Sequence, residues 1–313
     1  MDRIKVAFCF DENLTDQVLV TAASLLDRGR TEQTHYDIYC ICTKEAGIVR
    51  ERLEAVLRAR DRESALHLCC VDNPYGDSYE VRGISAGTYL RLMLHRFLPE
   101  VDKILYMDVD VLLCGSLLPL WLTDLSGSLL AAVKGAVNLS DKWEWNSARP
   151  YWKLLEGQKG SYINAGVTLL NLEEIRKQRM EERWNELARE KLYYQDQDIL
   201  NITCRDRIVY LPPVYNRLAY MEDNDYNRFV EEGVFTAKEC EEAMRSPVII
   251  HYAGDKPWKR YDTNLGSLWW DYVNSQPDLR GLFDEAAARS YHGPALWERG
   301  LRKIKNMLGI ERL

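Results

Sequence analysis

The chain opens with short apolar runs that alternate with longer segments in which apolar residues recur every three or four positions. Ile4 to Phe10 is apolar apart from Lys5, and Leu14 to Leu26 carries apolar residues at 14, 18, 19, 22, 25 and 26. The first run has the length of a buried strand, and the second has helical spacing. Asp37 to Cys42 predicts a second strand, Val49, Leu53, Val56 and Leu57 mark an amphipathic helix, and Leu66 to Val71 predicts a third strand. Strands alternating with helices imply crossover connections and a mostly parallel sheet covered by helices.

Farther along, a helix from Tyr89 to Phe97 stops before Pro99, and Lys103 to Met107 reads as a central strand that runs into Asp108-Val109-Asp110. Asn138 to Lys159 shows no clean period and reads as an irregular excursion. Tyr162 to Leu172 predicts a strand, Glu173 to Glu190 and Asp196 to Cys204 predict helices, and Val248 to His251 predicts a last short strand. Residues 221–243 hold eight acids against Arg228 and Lys238, the composition of a solvated face. No repeat and no Pro/Gly/Ser linker divides the chain. The expectation is an α/β domain over residues 1–265 followed by a helical tail over 266–313.

Composition narrows the function classes. The 313 residues include 41 Lys and Arg against 48 Asp and Glu, a net charge of −7, so a general nucleic-acid binder is disfavoured. Most of the eight cysteines sit in apolar, strand-like runs and read as reduced thiols. The start lacks the apolar stretch of a signal peptide, and no run approaches 18 apolar residues, which gives a cytoplasmic expectation.

The sharpest local feature is the pair Asp108 and Asp110 where an apolar strand ends. Carboxylates at i and i+2 point to the same side of an extended chain, and ligands of open α/β sheets collect outside the carboxyl ends of the strands. Two like charges that close repel unless a divalent cation lies between them. A pair of turn aspartates is the plainer reading of the segment. His251 ends another apolar strand and is followed by Gly254 and Lys256. An imidazole beside two carboxylates makes a mixed oxygen and nitrogen site, better suited to Mn²⁺ than to Mg²⁺ or Ca²⁺. Lys256 supplies a point charge for a phosphate, and Gly254 permits close backbone approach.

At the end of the first strand, Asp11 and Asn13 have two readings, a contact to a base edge or a cap on the next helix. The glycine-rich turn of dinucleotide folds is absent there. In Tyr194-Gln195-Asp196-Gln197-Asp198, Asp196 is explained as a helix cap, whereas Gln197 and the strand residue Asn164 need hydrogen-bonding partners. Sugar hydroxyls, which donate and accept, fit such a cluster.

Five segments in this order resemble the family 8 glycosyltransferases, within them the bacterial lipopolysaccharide glucosyl- and galactosyltransferases: Thr88 to Leu92, Lys103 to Asp110, Tyr162 to Val167, Tyr194 to Asn201, and His251 to Trp258. The resemblance runs from Val6 to about Trp258. It implies a GT-A-type nucleotide-binding fold and a retaining hexosyl transfer from UDP-glucose or UDP-galactose with Mn²⁺, or alternatively Mg²⁺. It also implies a glycan or glycolipid acceptor. By the same resemblance Asp108, Asp110 and His251 are metal ligands, and Gly254 and Lys256 contact the diphosphate. Asp11 and Asn13 face the uridine, and Arg91 reaches the ribose, phosphate or sugar. Asn164 and Asp196 hold donor-sugar hydroxyls, and Gln197 sits at the reacting face of the anomeric carbon, with Asp196 as the charged alternative.

The strand before Asp108 also resembles the nucleophile strand of haloacid-dehalogenase-type phosphohydrolases. That reading wants the motif at the start of its domain, whereas a strand-helix-strand block precedes it here. A non-catalytic sugar-nucleotide or glycan binder is the alternative from a different class. In the tail, residues 289–313 carry six basic groups against two acids, with apolar positions at helical spacing. Two readings follow, an interfacial helix giving peripheral membrane contact and a helix docked on the domain.

Overall fold

In the computed structural model, the described residues are 2–32, 34–78, 80, 86–139 and 150–291. A seven-stranded sheet has the order β3-β2-β1-β4-β7-β6-β8. These strands are β1 (Asp2–Phe10), β2 (Thr34–Cys42), β3 (Ala65–Cys70), β4 (Lys103–Met107), β6 (Leu130–Lys134), β7 (Ile163–Asn171) and β8 (Ile208–Leu211). β3, β2, β1 and β4 run parallel, β7 is antiparallel to both β4 and β6, and β8 is parallel to β6. The expected mostly parallel α/β sheet is therefore present, with one reversed strand at its centre.

The apolar runs explain the layering. Val6, Ala7 and Phe8 are consecutive and all inaccessible, and the run Ile104, Leu105, Tyr106 and Met107 is buried throughout, so both faces of β1 and β4 are covered. Helices Thr15–Ser24 and Arg50–Arg60 supply part of that cover; in the second, Leu53, Val56 and Leu57 face inward as their spacing predicts.

The segment expected as one helix from 173 to 190 is two, Leu172–Lys177 and Met180–Leu187, separated by Arg179 at φ 51°. At about 100° per residue, a continuous helix would put Ile175 and Trp184 on opposite faces. Both are buried, and the left-handed residue resets the phase that makes this feasible. The acidic stretch holds helices Asp223–Glu231 and Ala237–Arg245, which bury Tyr226, Phe229, Cys240 and Ala243 while most of the acids stay solvated. Thr236 and Glu239 form a capping box, a pairing written in the sequence as Thr-x-x-Glu.

A second, three-stranded sheet has the order β5-β10-β9, formed by β5 (Val111–Leu113), β9 (Arg217–Leu218) and β10 (Ile249–His251). Strands of two or three residues carry no readable period, and β5 and β9 were not expected; nor were β6 and β8 of the larger sheet.

The chain divides into two compact units, Met1–Ala253 and Gly254–Leu313. Aromatic packing holds the second unit: the Trp258 ring is 5.5 Å from that of Trp269, and Trp270 Nε1 donates to the Pro257 carbonyl (2.9 Å). The helical expectation for the tail is met by Gly266–Ser275 and Glu285–Ser290, and Arg289 pairs with Glu285. The rest of the basic tail lies outside the described residues. No helix among the described residues is long and apolar enough to cross a membrane.

Candidate active site

Three strand pairings assemble the site at the carboxyl edge of β4. First, β4 pairs with β7 so that Met107 lies opposite Val167, and the Asp108 amide donates to the Gly166 carbonyl (2.8 Å). Second, β5 pairs antiparallel with β10, which places His251 opposite Val111 and lets the Tyr252 amide donate to the Asp110 carbonyl (2.9 Å). Third, β9 runs parallel to β10 and brings Asn216 alongside. From behind, Thr21 donates to the Val109 carbonyl (2.8 Å), so the first helix pins the Asp108–Asp110 turn.

The outcome is one cluster in which ligand atoms of Asp108, Asp110 and His251 all lie within 4.8 Å of one another. The imidazole is buried and its Nε2 stands 3.2 Å from Asp110 Oδ1 and 3.6 Å from Asp108 Oδ2. Asp108 Oδ1 is engaged elsewhere, accepting from Tyr106 Oη (2.6 Å) and Arg91 Nη2 (2.9 Å). Oδ2 is thus the oxygen turned to the cluster. Two carboxylates and an imidazole converging from a dry backing fit a divalent cation of borderline softness.

Gly166 shapes the same floor. A Cβ built on it would meet His251 Cε1 at 2.1 Å and Asp108 Oδ2 at 2.8 Å, so only glycine leaves the imidazole its place. Neither Gly166 nor Asn216 was singled out from sequence for this task. The glycine was visible inside a strand, where it signals close approach of another group.

Arg91 lies beneath the cluster rather than beside open space. Its guanidinium contacts the Asp196 carboxylate (Nε to Oδ2, 2.7 Å), Asp108, the Ala165 carbonyl (2.6 Å) and Thr88, and it stacks over the Tyr106 ring. Burial alone would lower its pKa, but Asp108 and Asp196 override that and push it up. Asp196 is 3% exposed, and both its oxygens are held, Oδ1 by Thr88 Oγ1 (2.9 Å) and Oδ2 by Arg91. Desolvation raises the Asp196 carboxyl to about 6 against the opposing pull of Arg91 and Thr88. Arg91 and Asp196, both expected to reach the donor, pair with each other, and Arg91 braces Asp108.

The helix Gln195–Cys204 is fastened to β7 by its own side chains. The Asn201 amide accepts from the Ile163 amide (2.8 Å) and donates to the Ile163 carbonyl (3.1 Å), as a neighbouring strand would. Asp198 accepts from Tyr162 Oη (2.6 Å) and from the Tyr194 amide (2.8 Å). These anchors aim Gln197, which is only half-buried. Its Oε1 accepts from the Ala165 amide (3.0 Å) and its Nε2 donates to Tyr162 Oη (3.1 Å). Asn164 Oδ1 is likewise occupied, by the Gly166 amide (3.0 Å) and Asn216 Nδ2 (2.9 Å), and its Nδ2 makes no hydrogen bond among the described residues.

Asp11 and Asn13 follow the carboxyl end of β1, the parallel neighbour of β4. Asp11 Oδ1 accepts from the Asn13 amide (3.0 Å), the capping role that was one of its two readings. Gly254 and Lys256 open the second unit, where the Lys259 and Arg260 amides donate to the Lys256 carbonyl.

The model of glycosyl transferase family 8 matches residues 5–262. A putative glycosyltransferase of Haemophilus influenzae is 26% identical over 74% of this chain, which spans 63% of that relative's length. A lipopolysaccharide 1,2-glucosyltransferase of Escherichia coli is 27% identical over 99% of the chain and 89% of its own length. Among solved structures, the galactosyltransferase LgtC in complex with donor and acceptor sugar analogues is similar with a TM-score of 0.70 at 26% identity. That likeness covers 88% of this chain and 96% of LgtC. A second LgtC structure, of an active-site glutamine-to-glutamate mutant, has a TM-score of 0.69 at 25% identity. A match this extensive replaces the dehalogenase-type reading, and the chain belongs to glycosyltransferase family 8.

Proposed function

We propose that the protein is a metal-dependent retaining glycosyltransferase that moves a hexose, glucose or galactose, from a UDP-sugar to a glycan or glycolipid acceptor such as lipopolysaccharide core. One observation carries the reading: Asp108, Asp110 and His251 converge within 4.8 Å at the carboxyl edge of a nucleotide-binding type of sheet. The similarity to the lipopolysaccharide glucosyltransferase and to LgtC supports the hexose and the acceptor class. A nucleotide-sugar donor agrees with the cytoplasmic location expected from sequence.

Asp108 Oδ2, Asp110 and His251 Nε2 are the atoms that would hold Mn²⁺, with Mg²⁺ as the alternative. When bound, the cation would supply the positive charge that offsets a leaving diphosphate. Arg91 and Tyr106 fix Asp108 Oδ1, so the carboxylate cannot rotate away from the cluster. Asn164, with its oxygen occupied, contributes its Nδ2 hydrogens to a donor-sugar hydroxyl. Asp11 and Asn13 are the uridine contacts in this reading, and Gly254 and Lys256 the diphosphate contacts.

Gln197 is the residue assigned to the reacting face, in keeping with the active-site glutamine of LgtC. A primary amide is a weak nucleophile, which favours departure and attack on the same face through an oxocarbenium-like transition state. The leaving phosphate oxygen then takes the acceptor proton. Asp196, desolvated and paired with Arg91, serves to position that arginine rather than to attack carbon.

Thermal shifts with UDP, UDP-glucose and UDP-galactose, each with and without Mn²⁺, test the reading. Stabilisation that requires metal and nucleotide together is expected, and Asp108→Ala is expected to abolish the metal-dependent part. A nucleotide shift indifferent to metal, or one unchanged in Asp108→Ala, overturns the metal assignment.

A further inference from the structure

We infer that Asn216 is a positioning residue that sets the tautomer of His251, holding the ring proton on Nδ1 and leaving the Nε2 lone pair turned to Asp108 and Asp110. This rests on the metal-dependent reading above and assigns a part to a residue outside the ligand set.

The argument starts from a group whose polarity is fixed. The Gly166 backbone N–H can only donate, and it donates to Asn164 Oδ1 (3.0 Å). The terminal atom of Asn216 that lies 2.9 Å from that oxygen is therefore its NH₂. The other terminal atom of Asn216 is then the carbonyl oxygen, 2.9 Å from His251 Nδ1. An amide oxygen only accepts, so Nδ1 carries the hydrogen. In the neutral ring, Nε2 is consequently a lone pair, 3.2 Å from Asp110 Oδ1 and 3.6 Å from Asp108 Oδ2. Three acceptors that face one another repel, and a cation among them converts the repulsion into ligation.

The opposite tautomer would aim an Nε2 hydrogen at the same carboxylates and so compete with the cation for their lone pairs. Asn216 is 3% exposed and His251 2%, which leaves water no easy route to replace the amide. The neighbouring fold is arranged around this relay: β9 starts at the next residue, Arg217, and its pairing with β10 sets the Asn216 side chain against the imidazole. The relay passes through Asn164, so the donor-sugar amide and the metal ligand share one hydrogen-bond chain.

Nitrogen-15 NMR of the metal-free wild-type protein, at a pH where the imidazole is neutral, reads the tautomer directly. A protonated Nδ1 and bare Nε2 at His251 are expected; a proton on Nε2 overturns the inference whatever any variant does. Mn²⁺ titration followed by electron paramagnetic resonance gives the second readout, in which Asn216→Leu is expected to weaken binding about 10–100-fold. Asn216→Asp keeps an acceptor for the Nδ1 hydrogen and is expected to retain the tautomer and bind Mn²⁺ more tightly than Asn216→Leu. A folded Asn216→Leu protein that binds Mn²⁺ like wild type overturns the inference. If that variant does not fold, the wild-type spectrum and Asn216→Asp decide, and loss of the Nδ1 hydrogen in Asn216→Asp counts against it. A wild-type protein that binds no Mn²⁺ overturns the metal reading instead, and the metal-free spectrum still decides the role of Asn216.

Discussion

Two buried polar clusters sit at opposite ends of the large sheet, and both combine an imidazole with carboxylates. Near the amino ends of β2 and β3, His35 Nδ1 is 2.9 Å from Asp61 Oδ2, which also accepts from Ser64 Oγ (2.6 Å). The Glu63 amide donates to Asp61 Oδ1, the Tyr36 amide donates to Ser64 Oγ, and His35 Nε2 faces Glu63. Both Asp61 oxygens there meet a donor, and the Glu63 carboxylate is open to solvent. At the carboxyl edge, in the tautomer inferred above, His251 gives its hydrogen to Asn216 and turns Nε2 towards two carboxylates. Both hold an imidazole and carboxylates, yet the first is satisfied within the fold, whereas the second, in the function proposed above, holds a cation. The donors supplied to each buried carboxylate, not the composition of a cluster, separate a structural network from a candidate metal site.

The widest gap between the two should come from Asp110→Ala. Losing one of three ligands should cost about 4 kcal/mol of transition-state stabilisation, a drop of about a thousandfold in metal-dependent transfer from a UDP-sugar. A folded Asp110→Ala enzyme with near-normal turnover would erase the distinction. Gly166→Ala probes the same cluster through shape alone. The added methyl must displace His251, so Mn²⁺ affinity should fall about 10–100-fold and stability by about 1–3 kcal/mol, measured by titration and by chemical denaturation.

The amino-end cluster should respond in the opposite way. Asp61→Asn is expected to cost about 1–3 kcal/mol of stability and leave Mn²⁺ binding unchanged. Burial alone would raise the Asp61 carboxyl, but hydrogen bonds from Ser64, His35 and the Glu63 amide outweigh it and hold the carboxyl below its ordinary value. Its contribution is then complete above the usual aspartate range near about 4 and is lost as pH falls through the lower folded value. Melting curves between neutral and acid pH should show the wild type losing this increment on the acid side and Asp61→Asn lacking it. Metal binding that fell in Asp61→Asn would mean that the two clusters are coupled through the sheet.

Part of the large sheet and the clustering of Asp108, Asp110 and His251 were legible because each rests on a local pattern. Apolar runs of strand length gave β1 to β4, and aspartates at i and i+2 after an apolar run marked the edge where a ligand gathers. His251 was legible for the same reason. What holds the triad was not. Asn216 lies between a short turn and a two-residue strand, and its partners are 35 and 52 positions away. Arg91 was visible as a cation in a familiar segment, but its burial between Asp108 and Asp196 depends on how β4, β7 and the helix from Gln195 meet. The break at Arg179 was implicit in the phases of Ile175 and Trp184, and reading those phases would have split the helix.

Asn201 has a consequence that reaches beyond its own helix. Successive residues of a strand face opposite ways, so a slip of one position in β7 would send the Asn164 side chain to the other face. Ala165 or Val167 would then occupy the place that Gly166 leaves open for the imidazole. By reading the backbone of Ile163 on both its donor and its acceptor, the Asn201 amide marks the reading frame of that strand. The cluster of Asp108, Asp110 and His251 is thereby kept in register by a side chain that is not one of its members.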